Sequence, residues 1–494
     1  LYNLNPTGNV VIQYNKGGGV QTTTLTFDTV DQFAKASLDK AVYTTGSQVQ
    51  TTITDLWLNI DPTDEDSWTF GTVGTLSTNY QVFDENGAGN GDSALNTAVG
   101  PGKLTNVLPV LMCEDNCVLK LNPDVQNKGN VVTLQDNQDS NIIATGSGQV
   151  PTNWSTFAGN LAGQVPITIT EQGPNSGIFG SYDESDTSAI KITDGAKRGT
   201  SASIDYNDTP VTILVGFNFA TIDIKPIDAE WSSGEEIPLS LVDGDANRNS
   251  RADEDLDLNN PDVALIPALR TGTPNTLAGL TSATLGGNAA TFTVQKFSDR
   301  ALLTTGTSVA VVSGTTSLNL SFGTMADVFK STPINKANFH GFALFNYDVR
   351  ALKNLGNLEG ITSVNISLPG TVPTVFPTQP LQGLILLPTA NFAGATGPLT
   401  ATFTINGAAG DSIAPGTVLP IAADIFGYGF INDGRENNER IANQIIRFEL
   451  EETGDNTSTF DGTVEYTMIN QLNVLDPATY TNLTPISNTA SFVV

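Results

Sequence analysis

The residues best suited to chemistry are oxygen-bearing side chains that follow a strand-like segment. In the twelve residues from Asp243 to Glu254, Asp or Asn stands at positions 1, 3, 5 and 7, and Glu at position 12. This spacing matches an EF-hand loop, whose alternate side chains converge on calcium. Arg248 departs from that pattern where Gly is usual, and a strand precedes the loop instead of a helix. We predict a calcium loop on a β-sandwich edge, a solvated acidic loop being the alternative; the candidate ligands are Asp243, Asp245, Asn247, Asn249, Asp253 and Glu254.

Residues 55–66 form a second acidic segment after a strand-like run. They carry five carboxylates within twelve residues, and these like charges repel one another unless a cation neutralises them. Leu56, Trp57 and Leu58 replace one ligand position, so the coordination would differ from that of Asp243–Glu254. Metal binding is favoured, with the candidate ligands Asp55, Asn59, Asp61, Asp64 and Asp66.

A third acidic group has Arg435 and Arg440 interleaved with its carboxylates, which belong to Asp424, Asp433, Glu436 and Glu439. Arginine side chains can neutralise neighbouring carboxylates without a metal ion. A loop neutralised by its own arginines is therefore as good an interpretation as a metal site.

Residues suited to acid–base or nucleophilic catalysis are scarce. His340 is the only histidine, and it lies beside aromatic residues, where a structural histidine is common. No two carboxylates stand out as a glycosidase pair, and the triple glycine of residues 17–19 lacks the Lys-Ser/Thr of a phosphate-binding loop. We therefore predict that the chain is not an enzyme, and a secreted hydrolase is the weakest of three function classes.

Net charge limits the partners that the chain can attract. The chain has 494 residues, of which 51 are acidic and 22 basic, giving a formal net charge of −29. Such a field repels nucleic acid and attracts cations. No apolar run reaches the ~18 residues that span a bilayer, so no membrane span is predicted in this segment. The start at Leu1 lacks a signal peptide, and we expect a processed chain or an internal fragment.

The two cysteines, Cys113 and Cys117, are close in sequence. Zinc would need two more nitrogen or sulfur ligands nearby, so a short disulfide is the better interpretation, with buried free thiols as the alternative. A disulfide implies an oxidising exterior. In that setting several Asn-x-Ser/Thr sequons are plausible glycan sites, whereas Asn207 is doubtful because Pro210 follows its sequon; the plausible sites are Asn153, Asn319, Asn365, Asn456 and Asn482.

Strand signals dominate the chain. Segments rich in Thr, Val and Ile, such as residues 22–27 and 361–367, are separated by turn residues. Helical periodicity is scarce, and only residues 339–352 and 436–448 are candidates for helices. The fold class is predicted to be all-β, with a strand spacing suited to β-sandwiches.

An internal repeat gives the predicted domain organisation. Each copy has a strand, Gly, a second strand and an Asp-led loop, with nine residues from Gly to Asp in the first two copies and eight in the third. A second echo links residues 171–180 to residues 452–462. We expect closing strands of an upstream domain and three β-sandwich modules, the first with the acidic loop and disulfide, the second with the EF-hand-like loop and the third possibly incomplete; the respective ranges are 1–34, 35–220, 221–395 and 396–494.

Three segments resemble S-layer proteins of ammonia-oxidising archaea such as Nitrosopumilus, namely residues 59–70, 177–185 and 234–255. The matching motifs span about residues 36–260, and those proteins are much longer, so this chain is similar to an internal stretch of one. The resemblance implies tandem immunoglobulin-like domains that tile into a two-dimensional, calcium-stabilised, glycosylated lattice. It also implies metal ligation by the loop residues named above.

The leading hypothesis is an extracellular, self-associating S-layer protein of the archaeal cell wall, whose negatively charged pores favour cations such as ammonium. The alternative is a secreted filament subunit or adhesin. In that case an end strand such as residues 9–14 would complete the sheet of a neighbouring copy.

Overall fold

The computed structural model describes residues 9–17, 19–26, 34–59, 61–70, 77–78, 82–83, 118–123, 130–135, 167–182, 185–207, 209–225, 229, 235–353, 360–407 and 411–466. The fold is all-β, as the sequence predicted. The chain divides into two compact units: unit 1 comprises Leu1–Ala220, Asp243–Glu254 and Gly454–Ser458, and unit 2 comprises Thr221–Val242, Asp255–Thr453 and Thr459–Val494. The described strands of the predicted second and third modules therefore lie in one unit.

The described strands of unit 1 are β1 (Asn9–Lys16), β2 (Gly19–Thr26), β3 (Lys35–Leu38), β4 (Thr51–Thr54), β5 (Ser67–Phe70), β6 (Ser77–Thr78), β7 (Val82–Phe83), β8 (Leu119–Leu121), β9 (Asn130–Gln135), β10 (Ile167–Glu171), β11 (Ile178–Gly180), β12 (Ile190–Ile192), β13 (Ser201–Tyr206) and β14 (Thr209–Leu214). They form a six-stranded sheet in the order β3-β4-β11-β10-β5-β7, a four-stranded sheet in the order β14-β13-β9-β6, the parallel pair β12-β8 and the hairpin β1-β2.

One hydrophobic core joins the two larger sheets of unit 1. Alternate residues of β4 are buried, as expected for a strand with one face inward. Ile53 and Phe179 of the six-stranded sheet lie in the same buried cluster as Ile204 and Ile213 of the four-stranded sheet. β4, β5 and β10 belong to the six-stranded sheet of this core, and the acidic segment of residues 55–66 begins directly after β4 and ends directly before β5.

The described strands of unit 2 are β15 (Thr221–Ile224), β16 (Glu235–Val242), β17 (Ala268–Thr271), β18 (Ser282–Leu285), β19 (Asn288–Val294), β20 (Ala301–Thr305), β21 (Val309–Ala310), β22 (Ser317–Thr324), β23 (Phe339–Asp348), β24 (Ile361–Leu368), β25 (Thr374–Gln379), β26 (Gln382–Leu387), β27 (Pro398–Gly407), β28 (Ser412–Ile413), β29 (Val418–Ile431), β30 (Arg440–Ala442), β31 (Gln444–Arg447), β32 (Glu451–Glu452) and β33 (Thr459–Tyr466). One short α-helix, α1 (Met325–Val328), and the 3₁₀ turns Leu277–Gly279, Arg350–Leu352, Thr389–Asn391 and Asn437–Glu439 complete the described elements.

A large sheet dominates unit 2, in the order β25-β24-β27-β22-β18-β19-β20-β29-β23-β26, with β30 also paired to β29. The predicted helix over residues 339–352 is wrong, because β23 occupies most of it. The predicted helix over residues 436–448 is also wrong, because a 3₁₀ turn, β30 and β31 occupy it. In both windows strand pairing with β29 or β17 outweighed the local pattern.

A four-strand order recurs in the two units. Unit 1 contains β3-β4-β11-β10, and a separate sheet of unit 2 has the order β15-β16-β33-β32, with every neighbouring pair antiparallel. The two echo segments of the sequence, residues 171–180 and 452–462, lie at the same place in this order. The sequence echo therefore corresponds to a repeated hairpin, β10-β11 and β32-β33, which in both units lies beside two further antiparallel strands.

Two facing glycines let β23 and β29 approach closely. Gly341 pairs with Gly429, and a Cβ atom on Gly429 would lie 2.2 Å from the carbonyl oxygen of His340. Gly429→Ala is therefore expected to lower the free energy of unfolding by about 2 kcal/mol, through this clash and the strain of its φ of +155°. Urea denaturation measures the loss. Gly279→Ala, which meets nothing within 4 Å, is the matched control; equal stability of the two variants would contradict the prediction.

Candidate cation sites

The loop Asp243–Glu254, predicted to bind calcium, begins directly after β16 and belongs to unit 1. The backbone N–H of Asp243 donates to the carbonyl oxygen of Ser458 at 2.9 Å, which fixes the first loop position. The carboxylate of Asp243 then accepts from the N–H of Asp245 at 2.9 Å. Such an Asx turn stabilises the loop whether or not a metal is bound.

A lysine ammonium group contacts the middle of this loop. Lys40 Nζ donates to the carbonyl oxygen of Asn247 and to its side-chain Oδ1, both at 2.7 Å. Asn247 is only 1% exposed, and its Nδ2 donates to Asn456 Oδ1 at 3.1 Å. The oxygen predicted as the position-5 calcium ligand therefore faces a positive charge that belongs to the chain.

The other predicted ligands of this loop are directed at separate donors. Both carboxylate oxygens of Asp245 accept from the backbone N–H of Asn218, at 2.9 and 3.0 Å, and burial raises the pKa of Asp245. Asn249 Oδ1 accepts from Gln50 Nε2 at 2.6 Å. Glu254 Oε1 accepts from two backbone N–H groups of the loop, and Asp253 is exposed. The predicted ligand oxygens thus hold the loop in place by hydrogen bonds to different partners.

The segment that carries Lys40 is itself anchored. Tyr43 is fully buried and donates its hydroxyl proton to Asp39, while the backbone N–H of Lys40 donates to Tyr43 Oη at 3.2 Å. Burial and the neighbouring Asp39 charge raise the pKa of Tyr43, so the phenol stays neutral. The other Asp39 oxygen accepts from Ser250 Oγ at 2.6 Å, within the candidate loop. These bonds fix the backbone from which the Lys40 side chain extends.

The second predicted site, residues 55–66, places two of its acids in the interior of unit 1. Asp55 is 2% exposed; its Oδ2 accepts from Tyr206 Oη at 2.7 Å and its Oδ1 from the N–H of Trp57 at 2.9 Å. Asp66 is fully buried, and its Oδ2 accepts from the N–H of Asp61 at 3.0 Å. Two other candidate ligands lie outside this interior: Asp64 is exposed, and Asp61 is not fully buried. Hydrogen bonds from Thr63 lower the pKa of Asp61.

Glu171 is a third buried acid at this site, and the sequence did not predict it. It ends β10 and is 1% exposed. Its Oε1 accepts from the N–H of Gly177 at 2.7 Å, and its Oε2 accepts from the N–H of Asp66 at 3.2 Å. The echo between residues 171–180 and 452–462 starts at a glutamate in both copies, and that shared glutamate was the available signal.

Residues 55–66 and Glu171 form the buried acidic group of unit 1, and calcium binding there stays a prediction. Three carboxylates are withdrawn from water here, a cost that a cation can offset. Asn59 Oδ1 is also buried and has no hydrogen-bond partner among the described residues. Within those residues, no three Asp, Glu, His or Cys side chains are arranged to hold a metal ion.

The carboxylates of the third acidic group lie in unit 2, where they have different hydrogen-bond and ion-pair partners. Asp424 lies within β29, is fully buried and forms a bidentate ion pair with Arg447, in which Arg447 Nη2 donates to Asp424 Oδ1 at 2.9 Å. Asp433 instead pairs with Arg435 at 3.4 Å. Glu436 and Glu439 cap a 3₁₀ turn. Arginine and backbone contacts thus engage these carboxylates, which favours the neutralised-loop alternative.

Another acidic stretch of unit 2, residues 255–262, surrounds a buried arginine. Arg300 has no exposed surface and donates to the carbonyl oxygens of Leu258, Asn260 and Val263 at 2.6 to 2.9 Å. Burial, aided by the nearby Arg447 charge, lowers the pKa of Arg300 to about 10. A guanidinium group therefore holds this turn through carbonyl oxygens, a ligand type that cations also use.

The predicted modification sites have different surroundings. Asn319 lies in β22, where its Nδ2 donates to Thr284 Oγ1 at 3.0 Å, and Asn365 Oδ1 accepts from the N–H of Thr378 at 2.8 Å. Asn456 is exposed, and it carries the most accessible of these three amides. The remaining predicted residues lie outside the described ranges: Cys113, Cys117, Asn153 and Asn482.

His340 is exposed on β23 and lies against Phe430, with ring centroids 5.3 Å apart.

Among the described residues, no helix is long and apolar enough to cross a membrane. No protein-family model matches the chain, and a search of curated proteins also finds no match.

Proposed function

We propose that this chain is a structural, non-enzymatic component of an extracellular surface layer, and that it self-associates into a porous two-dimensional lattice on an archaeal cell. The resemblance of residues 59–70, 177–185 and 234–255 to S-layer proteins supports the proposal. The all-β fold agrees with it. We also propose that the modules are immunoglobulin-like, in keeping with the recurring four-strand order.

The observation that supports a structural role is that carboxylates of the acidic loops accept hydrogen bonds from backbone N–H groups. In unit 1, Asp55 and Glu171 accept hydrogen bonds from backbone N–H groups, and Asp245 accepts from Asn218 N–H. Carboxylates engaged in this way fix loops and are poorly placed to transfer protons to a substrate. These hydrogen bonds therefore fix the conformation of the loops between strands, which suits a structural protein.

Calcium has two parts in this proposal. At residues 55–66 and Glu171 it would offset the charge of the buried carboxylates, and Asn59 Oδ1 would add a neutral ligand. Between copies it would reduce the repulsion of chains that each carry a net charge of −29. The same charge would make the pores of a lattice favour cations, ammonium among them, over anions.

Electron micrographs of the purified chain test the proposal. With calcium we expect flat sheets with regular pores, and an excess of EDTA should disperse them because the carboxylates of adjacent copies then repel one another. Magnesium, which keeps its water and demands octahedral geometry, is the control cation; it screens charge as calcium does but fits the oxygen site poorly, so it should restore the sheets less completely than calcium at the same concentration. Dispersed particles under every condition would contradict the lattice, and sheets that survive EDTA would contradict the role of calcium.

A filament subunit or adhesin is the second candidate, and the hairpin β1-β2 favours it. This two-stranded sheet pairs with no further strand in the described part of the chain. Val11, Ile12, Tyr14 and Val20 are each more than half exposed. Both edges of such a hairpin can accept another strand. Threads on the same micrographs, instead of sheets, would support this candidate.

A further inference from the structure

We propose that Lys40 supplies the cation of the Asp243–Glu254 loop, so that the chain's own ammonium group holds this loop in place of calcium. The loop has the ligand spacing of a calcium site, yet its position-5 residue, Asn247, carries the Lys40 ammonium on two oxygen atoms. The inference goes beyond the proposed lattice, since it concerns how unit 1 is closed.

The geometry is that of a chelated ammonium ion. Both N···O distances are 2.7 Å, at the short end of the range for hydrogen bonds from a charged donor. One oxygen is the backbone carbonyl of Asn247 and the other is its side-chain amide oxygen, so one residue supplies a neutral, two-oxygen clamp. Asn247 is 1% exposed, and water therefore has little access to this side of the clamp.

The orientation of the Asn247 amide is fixed from its other side. Its Nδ2 donates to Asn456 Oδ1 at 3.1 Å, so the amide presents Oδ1, and not its N–H groups, to Lys40. The backbone N–H of Lys40 donates to Tyr43 Oη, and Asp39 accepts from Ser250 Oγ of the loop. Hydrogen bonds to other residues thus hold both the backbone of Lys40 and the side-chain amide of Asn247 in the positions that the clamp requires.

An ammonium group at this place opposes calcium. A calcium ion that used Asn247 Oδ1 would come within a few ångströms of the Lys40 charge, where like charges repel strongly in a partly buried site. The clamp also joins residues 207 apart in sequence, so it closes a long segment of chain. Removing the ammonium should therefore loosen the loop, and removing calcium from the solution should not.

Trypsin provides a local measure of this closure, because Arg248 and Arg251 lie inside the loop. In the wild-type chain, cleavage after these arginines should proceed at the same rate in EDTA as in calcium. Lys40→Met retains the apolar stem and removes the charge, and it should raise the cleavage rate at least about tenfold, since two charge-assisted hydrogen bonds are lost. Lys35→Met is the matched control, because Lys35 is exposed on the neighbouring strand β3.

Two results would overturn the proposal. The first is faster cleavage of the wild-type loop in EDTA than in calcium, which would show that the loop needs a metal ion; this arm needs no variant. The second is cleavage of Lys40→Met no faster than that of Lys35→Met. Both results are read at a protein concentration at which micrographs show dispersed particles in calcium, so shielding of the loop by sheets does not enter, and a failure of the sheets and a failure of the Lys40 clamp can be told apart.

Discussion

Arg447→Met is expected to lower the free energy of unfolding by about 3–5 kcal/mol, because the fully buried carboxylate of Asp424 would lose its counter-charge. Arg447 also donates to the carbonyl oxygen of Ser298 at 2.6 Å, and Met cannot replace that bond. Urea denaturation followed by circular dichroism measures the loss.

A double-mutant cycle is the control for this ion pair. Asp424→Leu alone should cost a similar amount, since Arg447 would then be buried without its carboxylate beside the charge of Arg300. The double variant Arg447→Met/Asp424→Leu should be more stable than either single variant, because no uncompensated charge remains. Additive losses in the double variant would show that the two side chains act independently and would contradict this account.

Glu171→Met is expected to cost about 2–5 kcal/mol, because it removes the acceptor of the N–H groups of Asp66 and Gly177. A buried donor left without an acceptor costs about 1–3 kcal/mol. Trp68 is 3% exposed and donates to the carbonyl oxygen of Leu58 at 2.8 Å, so its fluorescence reports unfolding at this site once the other three tryptophans, Trp57, Trp154 and Trp231, are replaced by Phe in both wild type and variant.

Glu171→Gln separates the hydrogen bonds from the charge. It retains one acceptor and should cost less stability than Glu171→Met, but it should weaken calcium binding about as much because the carboxylate is lost. Calorimetric titration of calcium measures the binding, and Asp194→Asn, which removes an exposed carboxylate of unit 1, is the control. Calcium binding that is equal in wild type and Glu171→Gln would remove Glu171 from the proposed site.

The all-β class could be predicted because it depends on local signals. Strands such as β4 and β24 are rich in Thr, Val and Ile, and these residues favour extended backbone. The pairing of β16 with β33 could not be predicted, because the partners are far apart in sequence and either strand could pair with other apolar runs. This pairing is one of those that place the described strands of the predicted second and third modules in unit 2.

The candidate sites were predictable only in part. The spacing from Asp243 to Glu254 and the acids of residues 55–66 are visible in the sequence. Lys40 and Glu171 are not, since Lys40 contacts Asn247 across 207 residues and Glu171 contacts Asp66 across 105 residues. A ligand pattern shows which oxygens are available, whereas the fold determines whether a metal ion, an arginine or a lysine is brought to them.

The strand order of unit 2 has a consequence for synthesis on the ribosome. The ribosome adds about 200 residues after β16 before it synthesises the partner strand β33. At typical elongation rates this takes roughly 10 to 40 s. During that interval one edge of β16 is open to strands of other chains. Glu236 lies in this strand with its side chain exposed, and charge discourages such pairing. The nascent strand thus carries its own protection against aggregation until the sheet can be completed.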